Sequence, residues 1–446
     1  MSWSSCWLGN TYPIFFYAGN EADITLFWGN SGFIFELAAT RNALVVFGEH
    51  RYYGQSLPFG AQSWQPRNIP FLSSEQTLAD YAVLLAHLKE ALRCPDSRVV
   101  VFGGSYGGML AFYMRLKYPH LVDAALASSA PIGTVGGGGR EEPPFYQTVT
   151  GDFNAVSPLC PAIVRDAFVQ IHNLSSTTSG RALLALKLQT CAVPEATDIE
   201  QLVQWLTHGL STMAMVDYPY PTSFQGALPA WPVNASCEIL QKGAAPGIDS
   251  LANIGQAVGL LYNGSGELPC FDIYQEYTIC SIPTGCGGGQ DGLSWDYQVC
   301  TEFGFFTQTD FVHDMFPPAV WNLGNLTQYC KDKWGVAPDL RRTEVEYGGR
   351  EVGASRVVFS NGVLDPWKGG GVYGNVTERE VWSIVIEGGA HHLDLRGSDE
   401  RDPESVVRAR AFEAEWIARW TASGFGKDKE MKYSWPWYKF QIGSAT

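Results

Sequence analysis

Apolar positions along the chain follow two rhythms. Short apolar runs, rich in β-branched and aromatic residues, occur at Pro13–Tyr17, Ala43–Phe47, Val99–Phe102, Ala124–Ser129, Arg356–Gly362 and Val381–Ile386; they are too short for helices and read as buried strands. Between them apolar residues recur at helical spacing. Leu78, Tyr81, Leu85, Leu88 and Leu92 make one face behind Ser73-Ser74-Glu75-Gln76, which resembles a capping box. A helix is expected through Phe33 to Thr40, and another after Ser105, halted by Pro119. A long one runs from Pro403 to about Trp420. Strands that alternate with helices imply an α/β chain, with a mostly parallel sheet covered on both faces.

The alternation breaks at Gly136–Gly139 and Arg140-Glu-Glu-Pro-Pro144 and resumes only near Arg356. In between, helical segments such as Ile163–Asn173 and Ile199–Leu210 are separated by turn-rich pieces, among them Asp217–Thr222 and Gly285–Gly289. The expected organisation is a sheet domain in two parts, 1–135 and 351–446, with an inserted helical cap at 136–350. Eight of the ten cysteines fall in that insertion: Cys160, Cys191, Cys237, Cys270, Cys280, Cys286, Cys300 and Cys330. An even, confined set points to a disulfide-stapled module made in an oxidising compartment, with the pairing left open. Five of the fourteen asparagines, Asn173, Asn234, Asn263, Asn325 and Asn375, lie in N-x-S/T sequons, which agrees with the secretory pathway. Residues 1–10 do not read as a signal peptide.

Composition narrows the function classes. A net charge of -15 without clustered Lys and Arg argues against nucleic acid, and no apolar run is long enough for membrane insertion. No C-x-x-C pair occurs, and no spacing joins His50, His391 and His392 into a zinc set, so neither a metal nor a cofactor is expected.

The candidate chemistry centres on Gly103-Gly104-Ser105-Tyr106-Gly107, which fits the nucleophile-elbow pattern G-x-S-x-G. Ser105 would stand at a strained strand-to-helix turn, with the backbone N–H of Tyr106 aimed at an oxyanion. The pattern calls for a later Asp and then a later His, each just past a strand. Asp365 and His391 satisfy it in that order. Gly19 and Asn20, after the first strand, are candidates for the second oxyanion donor. The cluster Glu49-His-Arg-Tyr-Tyr53-Gly54 occupies a strand's carboxyl end, where ligand contacts concentrate. On physics alone the triad suits an esterase as well as a peptidase.

Together, Gly-Gly-Ser105-Tyr-Gly-Gly, Glu49–Gly54, Asn361-Gly-Val-Leu-Asp365-Pro-Trp367 and Gly389-Ala-His391-His-Leu-Asp-Leu395 resemble the lysosomal proline-specific serine exopeptidases, from about residue 13 to about 420. That family has a dipeptidyl peptidase 2 branch and a Pro-X carboxypeptidase branch. The resemblance implies an α/β-hydrolase fold with an inserted disulfide-rich cap, a triad of Ser105, Asp365 and His391, and small peptide substrates. Trp295-Asp296-Tyr297-Gln298, Met213–Pro221 and the cap's cysteine spacing are closer to the dipeptidyl branch, so release of N-terminal dipeptides with Pro or Ala second is the expectation. Pro-X carboxypeptidase activity is the alternative, and an inactive product truncated at its N-terminus is a third reading. An enzyme of the dipeptidyl type needs a carboxylate for the substrate's ammonium. Asp296 is the first candidate, with Glu21 and Asp23 as alternatives and Tyr53 and Trp367 as further substrate contacts. The resemblance implies a signal sequence and two additional strands ahead of the segment matching Pro13, and the expectation from residues 1–12 is that this sequence does not include them. A lysosomal or secreted location and a homodimer are further expectations from the resemblance.

Overall fold

A computed structural model describes residues 12–134, 144–243, 248–282, 284–305 and 307–422. The first ten residues, the break at 136–143 and the tail after Lys427 lie outside the described residues.

The first part of the chain runs β1 (Ile14–Ala18), α1 (Ile24–Asn30), α2 (Phe33–Arg41), β2 (Leu44–Gly48), α3 (Ser74–Ala91), β3 (Val99–Gly104), α4 (Tyr106–Lys117) and β4 (Ala124–Ser128). The last part adds β5 (Val357–Gly362), β6 (Val381–Ile386) and α15 (Glu404–Thr421). The six strands form one parallel sheet in the order β2-β1-β3-β4-β5-β6. This is an α/β-hydrolase fold.

Each apolar run splits with period two between the sheet's faces. Phe15, Tyr17, Val100, Phe102, Ala124 and Leu126 join one core, and Ile14, Phe16, Val99, Val101, Ala125 and Ala127 join the other. Ile34 and Leu37 of α2 and Ile417 and Trp420 of α15 cover the first face. Leu78, Tyr81 and Leu85 of α3 and Met109 and Phe112 of α4 cover the second. Continuous hydrophobicity in these strands therefore reflects burial on both sides.

Among the described residues, ten helices lie between β4 and β5: α5 (Phe145–Val156), α6 (Leu159–Ser175), α7 (Thr178–Leu188), α8 (Ile199–Met215), α9 (Pro232–Leu240), α10 (Ile248–Tyr262), α11 (Ile273–Glu276), α12 (Gly289–Thr301), α13 (Leu323–Trp334) and α14 (Arg342–Tyr347). Disulfides join Cys160 to Cys237, Cys191 to Cys270, Cys280 to Cys286 and Cys300 to Cys330, so all four bonds stay inside this helical stretch. Its apolar core, with Phe168, Trp205 and Val258, is continuous with the core on one face of the sheet.

Two local expectations change. Helix α1 was not anticipated; Asp23 caps it, accepting from the backbone N–H of Thr25 at 2.8 Å. At α3, Ser73 accepts from the Gln76 N–H at 3.2 Å, but the Gln76 side chain accepts from Arg51 instead of reaching back to Ser73. The cap is half a capping box.

Candidate active site

The elbow forms where β3 meets α4. Ser105 has φ 58° and ψ -129°, a conformation that costs a non-glycine residue on the order of 1–3 kcal/mol. Its N–H donates to Ser128 O at 2.9 Å and its carbonyl accepts from Met109 N at 3.1 Å. The turn is tight enough that a Cβ on Gly103 would lie 2.0 Å from Gly107 O. Glycine at both positions is a packing requirement.

Asp365 follows β5 and is fully buried. One oxygen accepts from the Trp367 N–H at 2.9 Å and the other faces His391 Nδ1 at 2.8 Å. Because a carboxylate only accepts, Nδ1 carries the hydrogen and Nε2 keeps its lone pair. The backbone around this imidazole is held from the helical stretch: His391 N–H donates to Met215 O at 3.0 Å, and the Tyr218 hydroxyl donates to His391 O at 2.8 Å.

Ser105 and His391 open onto one cavity of about 360 Å³. Asn20, Glu21, Tyr106, Trp367 and His392 belong to its sheet wall; Met215, Phe224, Asp291, Trp295 and Phe305 belong to its helical wall. No Lys or Arg lines it among the described residues. Beneath Tyr106 runs a buried polar chain. Tyr53 OH donates to Gln298 Oε1 at 2.5 Å, Gln298 Nε2 donates to Tyr106 OH at 3.0 Å, and Tyr106 OH lies 3.1 Å from His50 Nε2. His50 Nδ1 is 2.7 Å from Arg51 O and so carries the hydrogen, which makes Nε2 the acceptor. Burial pushes the His50 pKa down to about 3 and keeps the ring neutral. The helix that begins at Tyr106 is therefore pinned from below by hydrogen bonds that need no charge.

The serine carboxypeptidase S28 model matches residues 3–413. The chain belongs to the serine carboxypeptidase S28 family. It is 41% identical over 420 residues to the lysosomal Pro-X carboxypeptidase of Homo sapiens, covering 93% of this chain and 82% of that one. It is 35% identical to prolyl carboxy peptidase like protein 5 of Caenorhabditis elegans, over 92% and 83% of the two chains. The thymus-specific serine protease of Homo sapiens matches at 29% over 96% and 82%.

In this S28 chain some expected site residues meet at the cavity and others do not. Asn20, Glu21, Tyr106 and Trp367 line it with Ser105 and His391. Gly19 is not a free oxyanion donor, because its N–H is spent on Gly48 O at 2.9 Å. Asp23 is occupied as the cap of α1. Tyr53 is buried one layer behind the cavity, in the chain under Tyr106.

Asp296 is the largest correction. Its side chain is 1% exposed, and its oxygens accept from Ser281 N–H at 2.8 Å, Trp334 Nε1 at 2.7 Å and Tyr329 OH, with Lys333 Nζ at 3.0 Å. It ties α12 to α13 and does not line the cavity with Ser105. The carboxylates that do are Glu21 and Asp291, the second unforeseen. Glu21 Oε2 is buried without a partner, and desolvation raises the Glu21 pKa. Asp291 accepts from Gly54 N–H at 3.0 Å.

His392 lies beside His391, with ring centroids 4.5 Å apart, and also borders the cavity. Its N–H donates to Ser129 Oγ at 2.8 Å, and burial, with His391 and Arg396 near, drives its pKa far down. Of the sequons, Asn173, Asn234, Asn325 and Asn375 are exposed, while Asn263 is half-buried and its amide is bonded to the Leu268 backbone.

Proposed function

We propose that this chain is a lysosomal serine exopeptidase that cuts beside proline, working from the carboxyl end as its Pro-X carboxypeptidase relatives are named to do. The observation that carries the reading is the 41% identity to such a relative across 93% of the chain; the His391–Asp365 contact and the cavity shared by Ser105 and His391 support it. Ser105 Oγ attacks the carbonyl of the residue before the scissile bond, and His391 Nε2 takes the serine proton and later gives it to the departing amine. Asp365 fixes the imidazole tautomer and stabilises its charged form. The developing oxyanion is met by the N–H of Tyr106 at the start of α4, with Asn20 as the second donor now that Gly19 is engaged. Exposed sequons support passage through the secretory pathway.

A second reading, release of N-terminal dipeptides, is favoured by one feature. The cavity presents Glu21 and Asp291 and neither Lys nor Arg among its described lining residues, which suits an ammonium better than a terminal carboxylate. The deciding assay offers one peptide with proline second from the amino end and another with proline next to the carboxyl end. Loss of a single C-terminal residue from the latter supports the main reading; a dipeptide from the former supports the second. A fluorophosphonate probe addresses the inactive reading, because only a preorganised Ser105 labels. No labelling together with no cleavage would overturn both.

A further inference from the structure

Glu413 of α15 is fully buried, and no donor among the described residues reaches either carboxyl oxygen. The group it meets at hydrogen-bonding range is the carboxyl of Asp394. Two carboxylates are both acceptors, so this contact is a hydrogen bond only when one proton lies in it. The surroundings decide which partner holds that proton. Asp394 already has a donor on each oxygen: Ser128 Oγ donates to one and Ser360 Oγ to the other, each at 2.6 Å. Glu413 has nothing comparable and is the protonated member.

Asp394 stands three residues after His391, in the turn Leu393–Leu395, and its two serines sit on β4 and β5. The same strands position the elbow, since Ser105 N–H donates to Ser128 O and Ser129 N–H to Ser360 O. We infer that Glu413 and Asp394 share a proton that clasps the His391 turn to the ends of β4 and β5, making Glu413 a positioning residue for the catalytic base. The inference rests on reading His391 as that base.

The charged groups facing Glu413 are few. Arg410, one turn earlier on α15, is nearby, but its guanidinium is committed to the carbonyls of Leu393 and Asp394 and to Asp402 at 2.5 Å. Strands β3, β4 and β6, which pack on α15, contain no charged residue. Helix α2 carries Glu36, bonded to Ser398, and Arg41. Desolvation, followed by Asp394, raises the Glu413 pKa well above the ordinary carboxylate value. Raised native affinity means that the native state keeps a proton the unfolded chain releases above about pH 4.5. Stability from this pair is therefore complete at acid pH and is lost as pH rises through the folded pKa.

The test is Glu413→Gln, whose amide donates to Asp394 at every pH. From pH 5 to pH 8 the wild-type folding constant should fall relative to E413Q, by up to about tenfold per pH unit. Over the same range the ratio of E413Q to wild-type kcat/KM should rise severalfold. Superimposable melting-temperature profiles overturn the shared proton. Diverging melting profiles with a flat kcat/KM ratio overturn the positioning role, and the melting arm stands even if the function proposed above is wrong. Should E413Q fail to fold, the infrared spectrum of the wild-type protein at neutral pH decides: a carboxylic-acid stretch that shifts in D2O and is shielded from bulk base supports the pair, and its absence overturns it.

Discussion

The two walls of the cavity are made by different means. On the sheet side each group is fixed by backbone within a few residues of a strand end: Ser105 by its positive φ, Asp365 by the Trp367 N–H, and His392 by Ser129. On the helical side the groups come from helices and loops held by side-chain packing and disulfides, as where Cys300–Cys330 and Asp296 bind α12 to α13. The walls meet at His391, whose side chain answers to the sheet domain and whose backbone is gripped by Met215 and Tyr218. On the function proposed above, chemistry falls to the wall whose groups are each fixed at a strand end, and selectivity to the wall held by side-chain packing and disulfides.

If that division holds, substitutions on the sheet side should damage all substrates alike. Ser105→Ala and His391→Ala should each lower kcat by roughly 10^5-fold or more, and Asp365→Asn by about 10^4-fold, read on any cleaved peptide. A substrate-dependent loss in these variants would blur the comparison. Tyr218→Phe tests the junction. Losing the donor to His391 O should cut kcat about tenfold with little change in KM, equivalent to about 1.4 kcal/mol. Its neighbour makes a smaller contribution: His392→Ala should reduce kcat/KM by about tenfold or less, and a loss equal to that of His391→Ala would reverse the roles of the two rings. Asp296→Asn should be smallest of all on activity. It should lower stability by about 1–2 kcal/mol, discounted for the partly exposed Lys333, and leave kcat/KM for a free-amine dipeptide substrate within about twofold. A hundredfold fall there, at unchanged melting temperature, would return Asp296 to substrate binding.

What was legible in the sequence follows the same line. Ser105, Asp365 and His391 were readable because each sits where a continuous apolar run gives way to glycine or proline, and strand ends of a parallel sheet share one edge. Asp23 was misjudged because α1, with its seven residues Ile-Thr-Leu-Phe-Trp-Gly-Asn, has weak helical signals; without that helix its cap had no structural use. Asp296 was misjudged because its partners Tyr329, Lys333 and Trp334 lie more than thirty residues away and reach it only through the α12–α13 packing. Gly19 failed for a smaller reason: whether a backbone N–H is free depends on strand register, here the Ala18–Gly48 pairing. Asp291, in the first turn of α12, carried no warning beyond the glycine-rich run just before it.

The position of the helical stretch between β4 and β5 has a consequence during synthesis. When β4 leaves the ribosome its neighbour β5 is still about 230 residues away, roughly 10–45 s at ordinary elongation rates. For that interval the nascent sheet carries an unpaired inner edge at Ala125–Ser128, the sort of edge that recruits strands from other chains. All eight cysteines of the helical stretch emerge before Val357, so its four crosslinks can close without waiting for β5. A ribosome stalled just short of β5 would thus display an oxidised helical module beside four of the six strands, with Ser105 made and His391 not yet translated.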